Sequence, residues 1–338
     1  MRVLPRAHPT FDAVLVVSFG GPSGPADIRP FLANVLRGRR VAPERVEQVA
    51  HHYELFGGVS PITAITRRQA EGLEQRLARA GHPLPVFVGM RNWHPLLADT
   101  LEQMQAAGVR QAVGFIAAAQ HSYSSCQQYR ENVAAARTEL RARTGQDIDV
   151  TFVDSWYAHH GFVAANAAHV AAARMTLPAD VAGRARLIFT AHSIPAAMAG
   201  RSRYREQLAE SASLVAEAAG MEDHVLVYQS RSGRPEDPWL GPDVCDYLRE
   251  ARRAGLEAAV LCPIGFVCDH IEVLYDLDHE AAAVSREIGL PMARAESVND
   301  DPLFLDMMAD VVLRTLRRHE RGRPLPLAPA EPPVRPAP

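Results

Sequence analysis

Glu272, Asp276 and Glu280 recur every four residues in the stretch LCPIGFVCDHIEVLYDLDHE, residues 261–280. On a helix this spacing stacks three carboxylates in one column, and like charges four apart destabilise a helix. No Lys or Arg lies between Arg253 and Arg286 to offset them, so the column asks for a cation from elsewhere. The helix macrodipole favours an acid only in the first turn, which accounts for Glu272 but not for Asp276 or Glu280. Asp278 falls off the column and reads as a solvated residue. His192, in TAHSIP (190–195), follows an apolar strand pattern and precedes a proline that stops the strand. Alone it reads as a loop or helix-capping histidine; beside a column of carboxylates it becomes a candidate base or ligand. One imidazole with carboxylates, and neither thiolates nor a histidine cluster, suits a transient divalent ion such as Fe2+ better than a closed structural zinc site. His270 is a ligand, a proton carrier or a core-edge residue that orients its neighbours, three readings the sequence leaves open. Cys262 and Cys268, flanking PIGFV, read as core-edge packing.

These groups need strands and helices to position them. FDAVLVVSF (11–19) is β-branched and apolar with little alternation, the pattern of a strand buried on both faces of a parallel sheet. Similar segments recur at 84–90, 111–117, 148–153, 185–191, 224–229 and 256–264, with helical patterns between them. Helices are expected at about 26–37, 43–56, 61–80 and 302–318, the third with Ser60 as N-cap and Pro61 in its first position. This alternation predicts an α/β protein of two Rossmann-like lobes, each a parallel sheet flanked by helices, joined by right-handed crossovers. The expected division is 11–123 plus 302–320 for the first lobe and 124–301 for the second, with a disordered Pro-rich tail at 321–338. Ser18, Arg91 with Asn92 and His94, His121 with Ser122, His192 with Ser193, Gln229 with Ser230, and Asp269 with His270 all follow carboxyl ends of expected strands. Open α/β sheets bind ligands outside that edge, so one cleft could collect them.

The 338 residues are 47% hydrophobic, enough for a large core at a length where cores begin to split. A formal net charge of -3 offers no broad cationic field for nucleic acid or anionic lipid. All 36 basic residues are Arg, and the absence of lysine excludes a Walker phosphate loop, a protein-kinase lysine and Schiff-base chemistry. No secretory signal is evident, and the longest apolar run, Ala258 to Cys268, is too short to cross a bilayer. A reduced, soluble, cytoplasmic protein is expected, with its four cysteines unpaired.

Seven segments, VLVVSFGGP, FGGVSPI, RNWHPL, SYSSCQQY, TAHSIP, PEDPWLGPDV and PIGFVCDHIEVLYDLD, occur in an order and spacing that resemble the ferrochelatase family from about Phe11 to Leu316. The resemblance implies two Rossmann-like lobes around a porphyrin cleft and insertion of Fe2+ into a free-base porphyrin with release of two protons. It implies that His192 and Glu272 face each other at the metal-insertion centre, and that Asp276 and Glu280 continue an acidic row that delivers metal or drains protons. It places Ser60 and Tyr129 against the porphyrin, Tyr53 and His52 near its propionates, and Phe19 and Trp239 in the cleft walls.

Two departures accompany it. Coproporphyrin-using relatives of one branch carry a tyrosine after the first strand that ligates the product iron; here the position is Phe19, which cannot. Some members hold an iron-sulfur cluster through C-terminal cysteines, and here no cysteine follows Cys268. The SFGGPSGP start and the SYSSCQQYREN segment nonetheless look most like the bacterial coproporphyrin branch, so the expectation is an enzyme favouring coproporphyrin III over protoporphyrin IX, without a cluster or another tightly bound cofactor, Fe2+ being a substrate. A monomer without nucleic-acid partners is expected. A non-catalytic porphyrin or haem carrier and a cobalt chelatase of corrin synthesis are the alternatives.

Overall fold

The computed structural model describes residues 11–38, 41–232 and 236–320. Their strands form two four-stranded parallel sheets. In the first, β1 (Ala13–Ser18), β2 (Val86–Met90), β3 (Gln111–Ile116) and β4 (Asp149–Phe152) lie in the order β2-β1-β3-β4. In the second, β5 (Ala185–His192), β6 (His224–Gln229), β7 (Ala258–Cys262) and β8 (Met292–Arg294) repeat that order as β6-β5-β7-β8. The two-lobe α/β architecture is as expected. All six residues of AVLVVS in β1 and all five of AAVLC in β7 are buried, as central parallel strands covered on both faces must be. β8 is only three residues long, too short to leave a strand pattern in the sequence.

The expected division at residue 123 differs from the sheet connectivity. β4 pairs with β3 in the first sheet, so the chain leaves that sheet after Phe152. Helix Gln128–Thr144 is the crossover between β3 and β4, and a four-residue strand with partly exposed sides gave little apolar signal of where it belonged. The tail at 321–338 lies outside the described residues.

Each lobe then lends a helix to the other. Helix His160–Arg174 follows β4 but packs on helix Tyr204–Ala218, β7 and β8 of the second lobe. Helix Pro302–Glu320 follows β8 but packs on helix Ile62–Arg79 and β3 of the first, and the two exchanged helices pack on each other. Phe115, Trp156, Phe162 and Phe304 interlock at this crossing, with ring centroids 5.3 to 6.3 Å apart. One apolar core therefore runs through both sheets. Arg68 with Asp300, Arg76 with Asp306 and Arg318 with Asp154 pin the exchanged segments at 2.9, 2.5 and 2.7 Å.

In both sheets the first strand is central, the second turns to one side and the third to the other. The crossovers diverge between β1 and β3 and between β5 and β7, leaving a crevice at each pair of carboxyl ends. His192 ends β5, and the PIGFV loop leading to Glu272 leaves β7, so both candidates emerge at one switch point. Gly265 lets that loop lie against β5: its N–H donates to the Thr190 carbonyl at 3.1 Å, and a Cβ there would stand 2.6 Å from the Ala191 Cβ. Gly265→Ala must push the loop off β5, and we expect a stability loss of about 1–3 kcal/mol, the usual cost of overpacking. Urea unfolding of the variant measures it, and an unchanged midpoint would refute the close-approach argument.

Candidate active site

His192 and Glu272 face each other across the second switch point, with Nε2 of the imidazole 3.7 Å from Oε2 of the carboxylate, both side chains part-exposed. His192 Nδ1 lies 2.5 Å from the Ser193 carbonyl oxygen. A carbonyl only accepts, so Nδ1 carries the proton, and in the neutral ring the Nε2 lone pair is free toward Glu272. The ring's backbone is fixed in turn: the buried Tyr204 hydroxyl donates to the His192 carbonyl at 3.1 Å, and Ser193 N–H donates to the Gln229 carbonyl at 2.8 Å.

Glu272 sits in a short α-turn, Ile271–Val273, that widens into a π-helix over Leu274–Ala281 before α-geometry resumes at Ala282–Glu287. The regular column expected from the spacing is thus modified. A π-turn closes on bonds five residues apart, its occurrence often marks functional sites, and here the side chains of Tyr275 and Glu280, five apart, are hydrogen-bonded. His270 is the N-cap: its Nδ1 accepts from the Glu272 N–H at 3.1 Å, which makes it the residue that orients the start of this helix. Burial holds its pKa below the ordinary histidine value.

Exposure rises along the acidic row, from half-buried Glu272 and Asp276 to exposed Glu280. Burial, with the charges of Glu272 and Glu280 adding to it, raises the Asp276 pKa to about 7, against hydrogen bonds from Ser230 and Gln229 that lower it. The Ser230 hydroxyl donates to Asp276 from a backbone with φ of 60°, a left-handed conformation uncommon for a residue with a side chain. Beyond Asp276 opens a cleft of about 490 Å3, lined among others by Asp276, Glu280, Ser230, Arg45, His51 and His52. The offsetting charge missing from the sequence neighbourhood comes from distant residues. Burial raises the Glu280 pKa, and Arg45, from across this cleft, acts against that rise together with the Tyr275 hydroxyl. Asp278, expected to be solvated, is held at 2.6 and 2.8 Å by Arg294, which also pairs with buried Asp269 at 3.1 Å. Periodicity could not reveal Arg294, because it arrives on β8.

The residues expected to contact a porphyrin gather on the same side. Glu272 adds to the burial that raises the phenol pKa values of Tyr53 and Tyr129, the latter to about 12, which places both rings within its field. The Arg91 guanidinium lies over the rings of Phe19 and Tyr129 at 5.5 and 5.1 Å. Phe31 packs edge-on against Phe19 and Tyr53, joining the helices Ile28–Val35 and Pro43–Leu55 to Ile271 and Leu274 beside Glu272. His52 stacks on Tyr275 at 3.5 Å, and burial together with Arg45 lowers its pKa to about 4. Ser60 is buried against Gly21, whose missing Cβ leaves room for it; it does not cap the following helix, which starts at Ile62 without a side-chain cap bond. Trp239 is half-buried, and its backbone bridges Pro195 of the His192 loop.

Among the described residues, no group of three or more His, Cys, Asp or Glu side chains is placed to hold a metal ion. His192, Glu272, Asp276 and Glu280 therefore make a facing pair and outward steps, not one cage. Cys126, Cys245, Cys262 and Cys268 are free thiols, all with pKa values raised by burial; Cys126 Sγ lies 2.8 Å from His121 Nδ1.

A solved structure of SirB from Bacillus subtilis with Fe3+ superposes with a TM-score of 0.56 over 91% of this chain and 97% of that one, at 10% identity. The fold is thus that of the two-lobed chelatases. The family model described as Ferrochelatase matches residues 11–316, and the chain belongs to that family. It is 48% identical to a ferrochelatase of Rhodopirellula baltica, over 91% of this chain and 87% of the relative. To a coproporphyrin III ferrochelatase of Mycolicibacterium smegmatis it is 44% identical, over 94% and 95%.

Asp276 binds its proton more tightly when folded than when unfolded, because its folded pKa is raised. Its contribution to stability is therefore present at low pH and is lost as pH rises from about 4 through about 7. Asp276→Asn should remove that component and gain stability over the wild type above pH 7. Unfolding free energies across pH 4 to 8 check the sign; a variant that loses stability at pH 8 contradicts it.

Proposed function

We propose that this chain inserts Fe2+ into coproporphyrin III, with His192 Nε2 receiving the pyrrole protons and Glu272 facing it across the macrocycle centre. Iron insertion into a porphyrin is the activity of its family, and the alternatives of a carrier or a cobalt chelatase are not favoured. Relatives named coproporphyrin III ferrochelatase, 43 to 48% identical over most of the chain, support the choice of substrate. The observation that carries the roles is the facing pair itself, His192 Nε2 at 3.7 Å from Glu272 Oε2, with His192 Nδ1 turned to the Ser193 carbonyl.

The reaction replaces two pyrrole N–H protons by one Fe2+, so charge balances as two protons leave. An imidazole Nε2 can accept them one at a time from an N–H held at hydrogen-bond distance, the first passed on before the second arrives. Glu272 stabilises the resulting imidazolium and presents an oxygen to the incoming metal. Asp276, its pKa near neutrality, can take a proton or release it without leaving a permanent buried charge. Glu280 and the cleft beyond it connect the row to solvent. Phe19, Tyr53, Tyr129, Ser60, His52 and Trp239 supply the surfaces for the macrocycle, apolar rings for its faces and polar groups for its edge.

Fe2+ is substrate in this reading, not a resident cofactor, and the protein works as a cytoplasmic monomer. No described helix is long and apolar enough to cross a membrane.

Incubating the protein with Fe2+ and either coproporphyrin III or protoporphyrin IX, and following the free-base spectrum as it converts to that of a metalloporphyrin, tests the substrate. Faster conversion of coproporphyrin III is expected, and a preference for protoporphyrin IX overturns that choice. His192→Ala should lower the insertion rate by about a hundredfold to ten-thousandfold, the usual contribution of a general base, while porphyrin binding persists. Wild-type turnover by this variant would remove His192 from the mechanism.

A further inference from the structure

Gln229 ends β6 directly beside His192, yet it is neither a base nor a ligand in the reaction as described. It is 1% exposed, and its backbone is in register with His192 on the neighbouring strand. One nitrogen, Nε2, reaches two sites on the acidic helix: the Glu272 carbonyl at 3.1 Å and the Asp276 carboxylate at 3.2 Å. Both partners there can accept, so they fix which end of the amide is nitrogen. Its backbone carbonyl meanwhile accepts from Ser193 N–H, next to His192.

We propose that Gln229 is a positioning residue for metal insertion: a single buried amide that ties the main chain of Glu272 and the side chain of Asp276 to the strand paired with His192. Four things follow from the geometry. The imidazole and the carboxylate come from different crossovers, with 79 residues between them, and besides their own facing contact residue 229 bridges them, paired with His192 in the sheet and bonded to the Glu272 carbonyl. The helix that bears Glu272 turns from α to π within two residues, so its own backbone does not impose a regular pitch on the acids. The amide spans that irregular turn and sets the distance between Glu272 and Asp276. Ser230, alongside it, reaches Asp276 but, among the described residues, not Glu272, and so does not replace that bond.

The inference rests on the ferrochelatase reading above, and its test separates the two. Gln229→Met keeps the length and bulk of the side chain and removes both donated hydrogen bonds. A misplaced reacting group costs on the order of tenfold to a hundredfold in rate, and we expect kcat for Fe2+ insertion to fall by at least the lower figure. The KM for porphyrin should stay within about twofold, because the macrocycle surfaces are untouched. A packing role would instead spread the loss over porphyrin KM and thermal stability together, and that result overturns the proposal, as does an unchanged kcat. Gln229→Leu, apolar and without donors or charge, covers the case in which the methionine variant does not fold: the same kcat loss supports the role, and full activity refutes it. If the wild type inserts no iron, the reaction assigned above fails; if it does and both variants match it, only the positioning role fails.

Discussion

Parallel strands deliver all their carboxyl ends to one edge, and where successive crossovers depart in opposite directions that edge opens. The second sheet places its central strand and its third strand on either side of such an opening, and the rest of the site follows. β5 can end only there, so His192 stands at the mouth. The loop from β7 must turn across the same gap, and Gly265 lets it do so in contact with β5. Glu272 then arrives opposite the imidazole on the first turn of a helix whose start is set by His270. The pair is part-exposed because a crevice at a sheet edge is a place that water and ligands share.

The electrostatics of this opening are those of a tolerated excess. Three acids lie along one face, and the fold reduces the resulting repulsion in three ways. Asp278 and Asp269 are given to Arg294, where they are structural. Asp276 is desolvated enough to hold a proton near neutral pH, so the row need not carry its full charge. Glu280 stands at the exposed end, where the Tyr275 hydroxyl and, across the cleft, Arg45 oppose the burial that raises its pKa. What remains fully committed to the opening is one carboxylate and one imidazole, a set too small to retain a metal and adequate to meet one in passage.

Much of this was legible in the sequence because buried parallel strands leave long apolar runs and their polar termini stand out. Ser18, His192 and Gln229 could all be placed at strand ends without coordinates, whereas Asp269 lies seven residues past the end of β7. Three features were not legible, each for a physical reason. β4 and β8 are too short, and β4 too exposed, to declare which sheet they join, which moved the expected lobe division. The π-turn has no compositional mark, since the same residues are compatible with an α-turn. Arg294 and Arg45 meet the acidic helix through tertiary contact alone, so an acid face that looks unbalanced along the chain is partly balanced in space. The segments shared with the family carried the remainder, above all the expectation that the aromatic residues meet a macrocycle.

The exchange of helices between the lobes has a consequence for how the protein is made. The first sheet is complete once Phe152 has been synthesised, but the helix that packs on β3 and on helix Ile62–Arg79 is the last one described, Pro302–Glu320. At usual translation rates the nascent first lobe waits on the order of ten seconds or more for its covering helix. During that interval helix His160–Arg174 is already out, with the lobe it packs on still unmade. The packing of each sheet is thus completed by a helix that the chain supplies from the other side of the crossing.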